Sequence, residues 1–277
     1  GDSEMKDYEP FSNGLSAIHC PETGIIDYIE LCKKFEQIIS QDITIKLNSK
    51  VVEINNCKNS ITICTNDKSY NVNFLINCAG LFSDMILKLS GLKRKARIVP
   101  FRGEYFMLKQ KSKFMVKNLI YPVPNPEYPF LGVHFTRTID GNIEAGPNAV
   151  LAFAREGYKK FKFNYNEIWD YLSYSGFWNM SKKYWKVGLG EYVRSISKRN
   201  FTKSLNKLIP DLKTADIEAA PSGVRAQALG MDGKLLDDFV IKNTRNMIHV
   251  INAPSPAATS CLAISEYIVS LYKNIIE

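Results

Sequence analysis

The chain has 277 residues, 45% of them hydrophobic and 23% charged, and 36 basic against 28 acidic side chains give a net charge of +8. That length accommodates one large or two interleaved cores, and the many aromatic and β-branched residues exclude an intrinsically disordered chain. No apolar run reaches the roughly 18–20 residues that span a bilayer, and the polar, acidic start GDSEMKDYEP is unlike a secretory or mitochondrial targeting segment.

The basic residues are scattered (KK, KRK, SKR), which places most of them on solvated faces and leaves a share for an anionic substrate or membrane surface. No zinc spacing or single-strand-binding signature points to nucleic acid. Six cysteines form no CxxC pair, and with three histidines in all a Cys/His metal site is not expected. Cys78 and Cys261 lie in apolar runs and are expected to be small buried hydrophobes. A reducing compartment fits.

In chain order, GIIDYIELCKKFEQIIS is the first strong helix, with Asp27 as cap, Glu30 three residues on, and Leu31, Phe35, Ile38 and Ile39 on one face. Short β-rich pieces follow (ITIKL, KVVEI, SITICT, SYNVNFLINC), separated by polar turns. The apolar run FLINC enters Ala79-Gly80, and Ser83 opens a helix with Met85, Ile86 and Leu89 facing inward and Gly91 closing it. From RIVPFRGEYFMLK to about residue 149, strand-like runs alternate with Pro and Gly, which predicts an antiparallel sheet. Residues 151–210 are expected to turn helical, from LAFAREGYKKF onward; Trp178 and Trp185, seven apart, are expected to form a packing stripe in preference to a site. Two strands (DFVIKN, MIHVINA) then lead into a terminal helix.

Several segments offer chemistry, each with a structural alternative. The Ala79-Gly80 entrance admits either a flat cofactor or a tight strand-to-helix turn. Arg102 and Tyr105 flank Gly103; three apart on a strand they face oppositely unless the glycine bends the chain. His134, inside an apolar strand, is either a satisfied core residue or a catalyst. Arg225, among small residues, calls for an anionic partner, internal or from a substrate. In NAPSPAATS, residues 252–260, Ser255 is the expected N-cap and Pro256 the first helical residue. The bare amides there suit either a planar electron-rich ring or ordinary capping with close packing.

INCAGLFSD, RIVPFRGEYFMLK, NLIYPVPNPEYPFLGVHFTRTIDGNIEAGPNAVLAFAREGY, APSGVRAQAL and HVINAPSPAATSCLAIS, with CPETGIIDY near the start, resemble the L-2-hydroxyglutarate dehydrogenase/oxidase family. These are flavoproteins of the D-amino-acid-oxidase-like superfamily. The likeness runs in family order over nearly the whole chain, weakest at residues 40–70 and 160–215. It implies FAD as cofactor and oxidation of L-2-hydroxyglutarate to 2-oxoglutarate. Hydride leaves C2 for flavin N5, a base takes the hydroxyl proton, and electrons pass to a quinone or to oxygen. Alternatives are another FAD-dependent amino-acid or hydroxy-acid oxidase of the superfamily, or a non-catalytic remnant.

The resemblance implies FAD contacts at Val52, Ala79, Gly80, Asn252, Ala253, Pro254, Ser255, Pro256, Ala257, Ala258 and Thr259, and a substrate carboxylate on Arg225. By residue type rather than by motif, Arg102, Tyr105 and His134 would line the pocket, with His134 the preferred base and His249 second. The resemblance further implies peripheral membrane association in the cytoplasm, or at the inner mitochondrial membrane in a eukaryote. One departure is plain. Family members carry a strand, a G-x-G-x-x-G loop and a helix ahead of CPETGIIDY, and no such fingerprint occurs in these 277 residues. The expected fold is therefore α/β: an incomplete, Rossmann-like FAD-binding domain at 1–99 and 221–277, with an inserted antiparallel-sheet substrate domain at 100–220. A complementing N-terminal half is the expected partner chain, and the sequence is expected to be a fragment, a split half or a decayed enzyme.

Overall fold

A computed structural model describes residues 1–57, 60–124, 132–254 and 257–277. Two helices, α1 (Asp2–Tyr8) and α2 (Tyr28–Ile39), precede β1 (Val51–Asn56), β2 (Ile61–Thr65), β3 (Ser69–Val72) and β4 (Leu75–Asn77). A 3-10 turn at Gly80–Phe82 enters α3 (Ser83–Leu89), followed by β5 (Ala96–Gly103) and β6 (Phe106–Leu108). Next come β7 (His134–Arg137), β8 (Ile143–Gly146) and β9 (Val150–Leu151), then α4 (Tyr165–Leu172), α5 (Ser175–Ile196) and α6 (Lys198–Leu205). The chain ends with β10 (Ile217–Ala219), β11 (Gly223–Gly230), β12 (Val240–Asn243), β13 (Met247–Asn252) and α7 (Cys261–Ile276).

The chain divides into two compact units: residues 1–45, 102–150 and 186–223 form the first, and 46–101, 151–185 and 224–277 the second. This differs from the expected division in two places. Residues 1–45 join the first unit because the buried Glu9 carboxylate accepts the backbone amides of Lys117 and Asn118, and because Asn13 N–H bonds Leu208 O at 2.8 Å. Residues 151–185 join the second through the ionic network described below.

In the first unit an antiparallel sheet of order β10-β6-β8-β7 lies over a core of Leu108, Phe135, Ile143, Phe201, Leu205 and Ile217, all essentially solvent-free. Asp27 caps α2 as expected, accepting from Ile29 N and Glu30 N at 2.8 and 3.1 Å. None of the α2 residues is fully buried, however, and Ile38 and Ile39 remain exposed.

The second unit holds the antiparallel sheet β1-β2-β3, a sheet of order β12-β13-β4 in which β13 and β4 run parallel, and the sheet β11-β5-β9. Helix α3 ends as its sequence predicts. Gly91, at φ +79°, lets Leu92 N–H reach Leu87 O and its own N–H reach Lys88 O, satisfying the last carbonyls. Its inward face is different from the expected one: Ser83, Asp84 and Leu87 are buried, while Ile86 and Leu89 pack at the edge of the Ile54–Ile61–Met247 cluster. LAFAREGYKKF is not helical; after β9 the chain turns back until Asn164 caps α4 through Glu167 N.

Asp84 explains that reversal. Its carboxylate, with no solvent exposure, accepts Arg155 Nη1 at 2.5 Å and Nη2 at 3.1 Å, Arg94 Nη1 at 3.0 Å and the amide of Ile98 at 3.2 Å. Arg94 also grips Asp170 of α4 (2.9 and 2.7 Å), and Arg155 Nη2 reaches the same carboxylate at 3.2 Å. Burial works to raise the Asp170 pKa, but Arg94, assisted by Arg97 and Arg155, holds it below the ordinary carboxylate value. Such a network stands or falls as a unit, because removing one partner strands a desolvated charge. Arg155→Met is expected to destabilise the second unit by about 3–5 kcal/mol, read from chemical denaturation. Lys33→Ala, which breaks only the exposed Lys33–Glu30 pair, is expected to cost under ~1 kcal/mol.

Candidate functional site

The second unit's candidate surface lies where the parallel strands β4 and β13 run out at the same edge of their sheet. Asn77 on β4 is in register with His249 on β13, so the chain leaves both strands at the same edge, the position where open α/β sheets bind ligands. From β4 it passes through Cys78, Ala79 and Gly80, all exposed; from β13 it passes through buried Asn252 to exposed Ala253 and half-buried Pro254. Gly80 adopts φ +51°, and a Cβ there would project into open space. Asn252 is anchored from below, its amide donating to Asp238 O at 2.7 Å and Leu236 O at 3.2 Å. Ala257–Ser260 form a 3-10 turn, with Ala258 and Thr259 exposed, and regular helix starts only at Cys261. The expected capping roles of Ser255 and Pro256 lie outside the described residues. Val52 is half exposed at an irregularity in β1, in a different sheet from β4 and β13. Arg225 lies half-buried on β11. Cys78 is exposed and Cys261 half-buried, correcting their assignment to the interior.

His249 is corrected as well. It is 0% exposed. Its Nδ1 lies 3.0 Å from Asn77 Nδ2 and its Nε2 3.4 Å from Ser90 Oγ, whose own hydrogen goes to Ile86 O at 2.8 Å. Burial, with Lys242 directly opposite on β12, lowers its pKa to about 4. A neutral imidazole with both nitrogens engaged in the core is a structural residue, not a base for substrate.

The first unit brings two other candidates, His134 and Tyr105, to Gly146. That residue, at φ +146°, pairs with His134 across β7 and β8, and a Cβ on it would lie 2.8 Å from Glu104 O and 3.2 Å from the Tyr105 ring. Only glycine fits there. His134 Nδ1 is 3.1 Å from Gly132 O, so Nδ1 carries the hydrogen and Nε2 is the ring's acceptor. Its ring stacks on Tyr121, centroids 4.4 Å apart and planes at 21°. Burial lowers the His134 pKa, partly offset by the Gly132 carbonyl, so the ring is neutral at pH 7.

Arg102, expected to line the pocket, has a carboxylate neighbour inside the fold. Buried to 3% exposure, it gives Nε and Nη2 to Glu104 Oε1 at 3.2 and 3.0 Å. Glu104 also accepts Ser195 Oγ (2.9 Å) and the Asn148 amide (3.0 Å), while its own N–H bonds Asn148 Oδ1 at 2.8 Å. The Arg102 guanidinium therefore has an internal carboxylate as partner. Reasoning from the sequence missed Glu104, Asn77, Asp84 and Arg155. The available signal was a carboxylate or amide embedded in an apolar run, as in INCAGLFSD. A groove of about 590 Å³ lined by α2 and Ile43–Ile45 contains none of the candidate residues.

The profile of the family described as FAD dependent oxidoreductase matches residues 1–271. The chain is 49% identical over 265 residues to the L-2-hydroxyglutarate dehydrogenase of Indibacter alkaliphilus, covering 94% of this chain and 66% of that protein. It is 42% identical over 275 residues to the Escherichia coli K12 protein of the same name, covering 99% and 65%. To the mitochondrial L-2-hydroxyglutarate dehydrogenase of Homo sapiens it is 41% identical over 280 residues, covering 95% and 60%. The chain thus spans just under two thirds of the length of these curated relatives. Among solved structures it is similar to the FAD-bound L-alpha-glycerophosphate oxidase of Mycoplasma pneumoniae, with a TM-score of 0.71 and 20% identity, over 98% of this chain and 62% of that one. It is also similar to L-proline dehydrogenase from P. horikoshii, with a TM-score of 0.57 and 14% identity, over 90% and 57%. Those two likenesses concern the fold. With the profile matched along almost its entire length, the chain belongs to the FAD dependent oxidoreductase family.

Proposed function

We propose that this chain supplies the flavin-facing edge and the substrate-handling residues of an enzyme that oxidises L-2-hydroxyglutarate to 2-oxoglutarate. The observation that carries the reading is 40–49% identity, over nearly the whole chain, to proteins named L-2-hydroxyglutarate dehydrogenase. FAD, when bound, accepts a hydride from substrate C2. The described residues fit its flat ring: Ala79, Gly80, Ala253 and Ala257–Thr259 carry small side chains at the shared strand exit, and Gly80 leaves room above the backbone. Val52 is a further FAD contact in this reading. Arg225 holds a substrate carboxylate in a bidentate grip. His134 Nε2 takes the hydroxyl proton, Nδ1–H being held by Gly132 O, and Tyr105 lines the pocket beside it. Electrons leave to a quinone or to oxygen.

Arg225→Gln is expected to raise the substrate Kd roughly 30-fold or more, the loss that follows when one partner of a desolvated charge pair is removed. The assay is turnover with an artificial electron acceptor, using the chain alone and supplemented with the part of the Indibacter alkaliphilus relative that it does not cover. Protein that stays folded, colourless and inert in both settings removes the reading. For His134, whose pKa lies below the ordinary imidazole value, the base is competent above that pKa and lost as pH falls through it. The acid limb of kcat/KM is therefore expected below pH ~6.5, and it disappears in His134→Gln.

Peripheral attachment to an anionic membrane is part of the same proposal. Among the described residues no helix is long and apolar enough to cross a bilayer. What supports attachment is the stretch GYKKFKFNYNEIW, where Phe161 (87%), Tyr165 (84%) and Trp169 (71%) are exposed among the exposed lysines 159, 160 and 162. Aromatic rings settle at the headgroup level, and each nearby lysine adds about 1 kcal/mol of attraction to an anionic leaflet. Single rings projecting this far suit insertion into a soft phase better than base stacking, which needs a braced platform. Co-sedimentation with phosphatidylglycerol vesicles but not with phosphatidylcholine vesicles is expected, abolished in Phe161→Ser/Trp169→Ser. Equal binding to both lipids, or an unaffected double variant, removes this part.

A further inference from the structure

Asn77 is buried to 3% exposure at the end of β4, and its amide touches three groups. Nδ2 lies 2.8 Å from Ser83 O and 3.0 Å from His249 Nδ1, and Oδ1 accepts the N–H of Ala79 at 3.1 Å. A backbone carbonyl can only accept. His249 Nδ1 also accepts, because Ser90 Oγ gives its hydrogen to Ile86 O and so receives one from Nε2–H. Both neighbours of Nδ2 are therefore acceptors, and Nδ2 has two hydrogens to meet them. Rotating the amide by half a turn would set Oδ1 against two acceptors and the NH2 group against the Ala79 N–H. The orientation is locked.

The lock has a geometric consequence. By tying Ala79 N–H back to its own side chain and Ser83 O across to it, Asn77 closes the loop that contains Cys78, Ala79 and the 3-10 turn starting at Gly80. Ser83 Oγ meanwhile donates to Ile251 O at 2.8 Å, fixing the start of α3 to β13 one residue before Asn252. A single buried rack of Asn77, Ser83 and His249 thus sets both exposed strand exits without being exposed itself.

We propose that Asn77, oriented by His249, is a positioning residue that shapes the Ala79–Gly80 turn for the flavin edge. The flavin clause rests on the proposed function above; the shaping of the turn does not. The histidine acts by presenting a lone pair, so its replacement by an amide oxygen serves and its replacement by an apolar ring does not.

The test compares His249→Asn, which can place a carbonyl oxygen near the Nδ1 position, with His249→Phe, which keeps the ring volume and removes the acceptor. Asn77→Ala serves as the limit. Two readouts are taken on the full chain: hydrogen exchange of the Ala79 amide, and the Kd for FAD from fluorescence quenching. Expected is exchange roughly 10-fold or more faster in His249→Phe and Asn77→Ala, with a comparable weakening of FAD binding, the factor for one lost buried hydrogen bond. His249→Asn stays within about 3-fold of the parent on both readouts. A role in packing alone predicts the reverse order, since asparagine leaves a cavity and phenylalanine does not. That reverse order overturns the proposal. If the exchange order holds and the parent chain binds no FAD, the flavin clause falls with the functional reading, while the assignment of the turn to Asn77 stands.

Discussion

The second unit depends on Asp84. Its carboxylate sits in the first turn of α3, where the helix dipole favours negative charge, yet it has no contact with water. Desolvation on that scale is tolerated only because two guanidiniums and the Ile98 amide surround it, and because Asp170 completes the circuit through the same arginines. Arg155 adds a bond to Leu81 O at 2.5 Å and lies over the Phe82 ring at 5.8 Å. The turn between β4 and α3 is therefore held from one side by charge and from the other by Asn77. An ionic cluster of this kind contributes little net stability over an apolar replacement; it fixes one arrangement against nearby alternatives. If the turn presents bare backbone to a planar ring, as proposed, it gains from that fixity, since small residues cannot hold a loop in place by their own packing.

The two strand histidines show how environment divides one residue type into different roles. Both occur in apolar runs, and both are neutral at pH 7. His249 offers its lone pair to Asn77 and its hydrogen to Ser90, so its acid–base capacity is consumed inside the fold. His134 gives its hydrogen to a backbone carbonyl two residues away, which fixes the tautomer and aims acceptor character along Nε2. Tyr121 stacked on its face fixes the plane. Sequence position alone could not separate the two, because the deciding partners of His249 lie 172 and 159 residues away in the chain.

Local signals were legible where local physics decides. Asp27 caps α2, Gly91 ends α3, and β7 and β8 pair antiparallel, each through contacts within a few residues or one hairpin. Tertiary override accounts for the rest. LAFAREGYKKF has helical texture, but Arg155 is drawn to a carboxylate 71 residues away and Asn164 N–H to Phe153 O, which folds the segment back on itself. Arg94 and Arg97, in a KRKAR run that resembles a solvated face, bond to Asp170, 76 and 73 residues away. The Ala79-Gly80 exit was legible from its small residues; the buried amide that shapes it was not, since an asparagine before a turn is ordinary until its partners are known.

Charge places a constraint on substrate recognition. Under the proposed function, a dicarboxylate held in a low-dielectric pocket needs compensation at both ends, and Arg102 is by residue type one group to weigh beside Arg225. Its guanidinium instead shares Glu104 Oε1 with Ser195, and Asn148 occupies the other carboxylate oxygen. For a substrate carboxylate to recruit Arg102 it would have to compete with a buried, hydrogen-bonded glutamate already in contact, at the cost of leaving that glutamate unpaired. Under the proposed function, neutral donors such as backbone amides or tyrosine hydroxyls would meet a second carboxylate without breaking the Arg102–Glu104 pair.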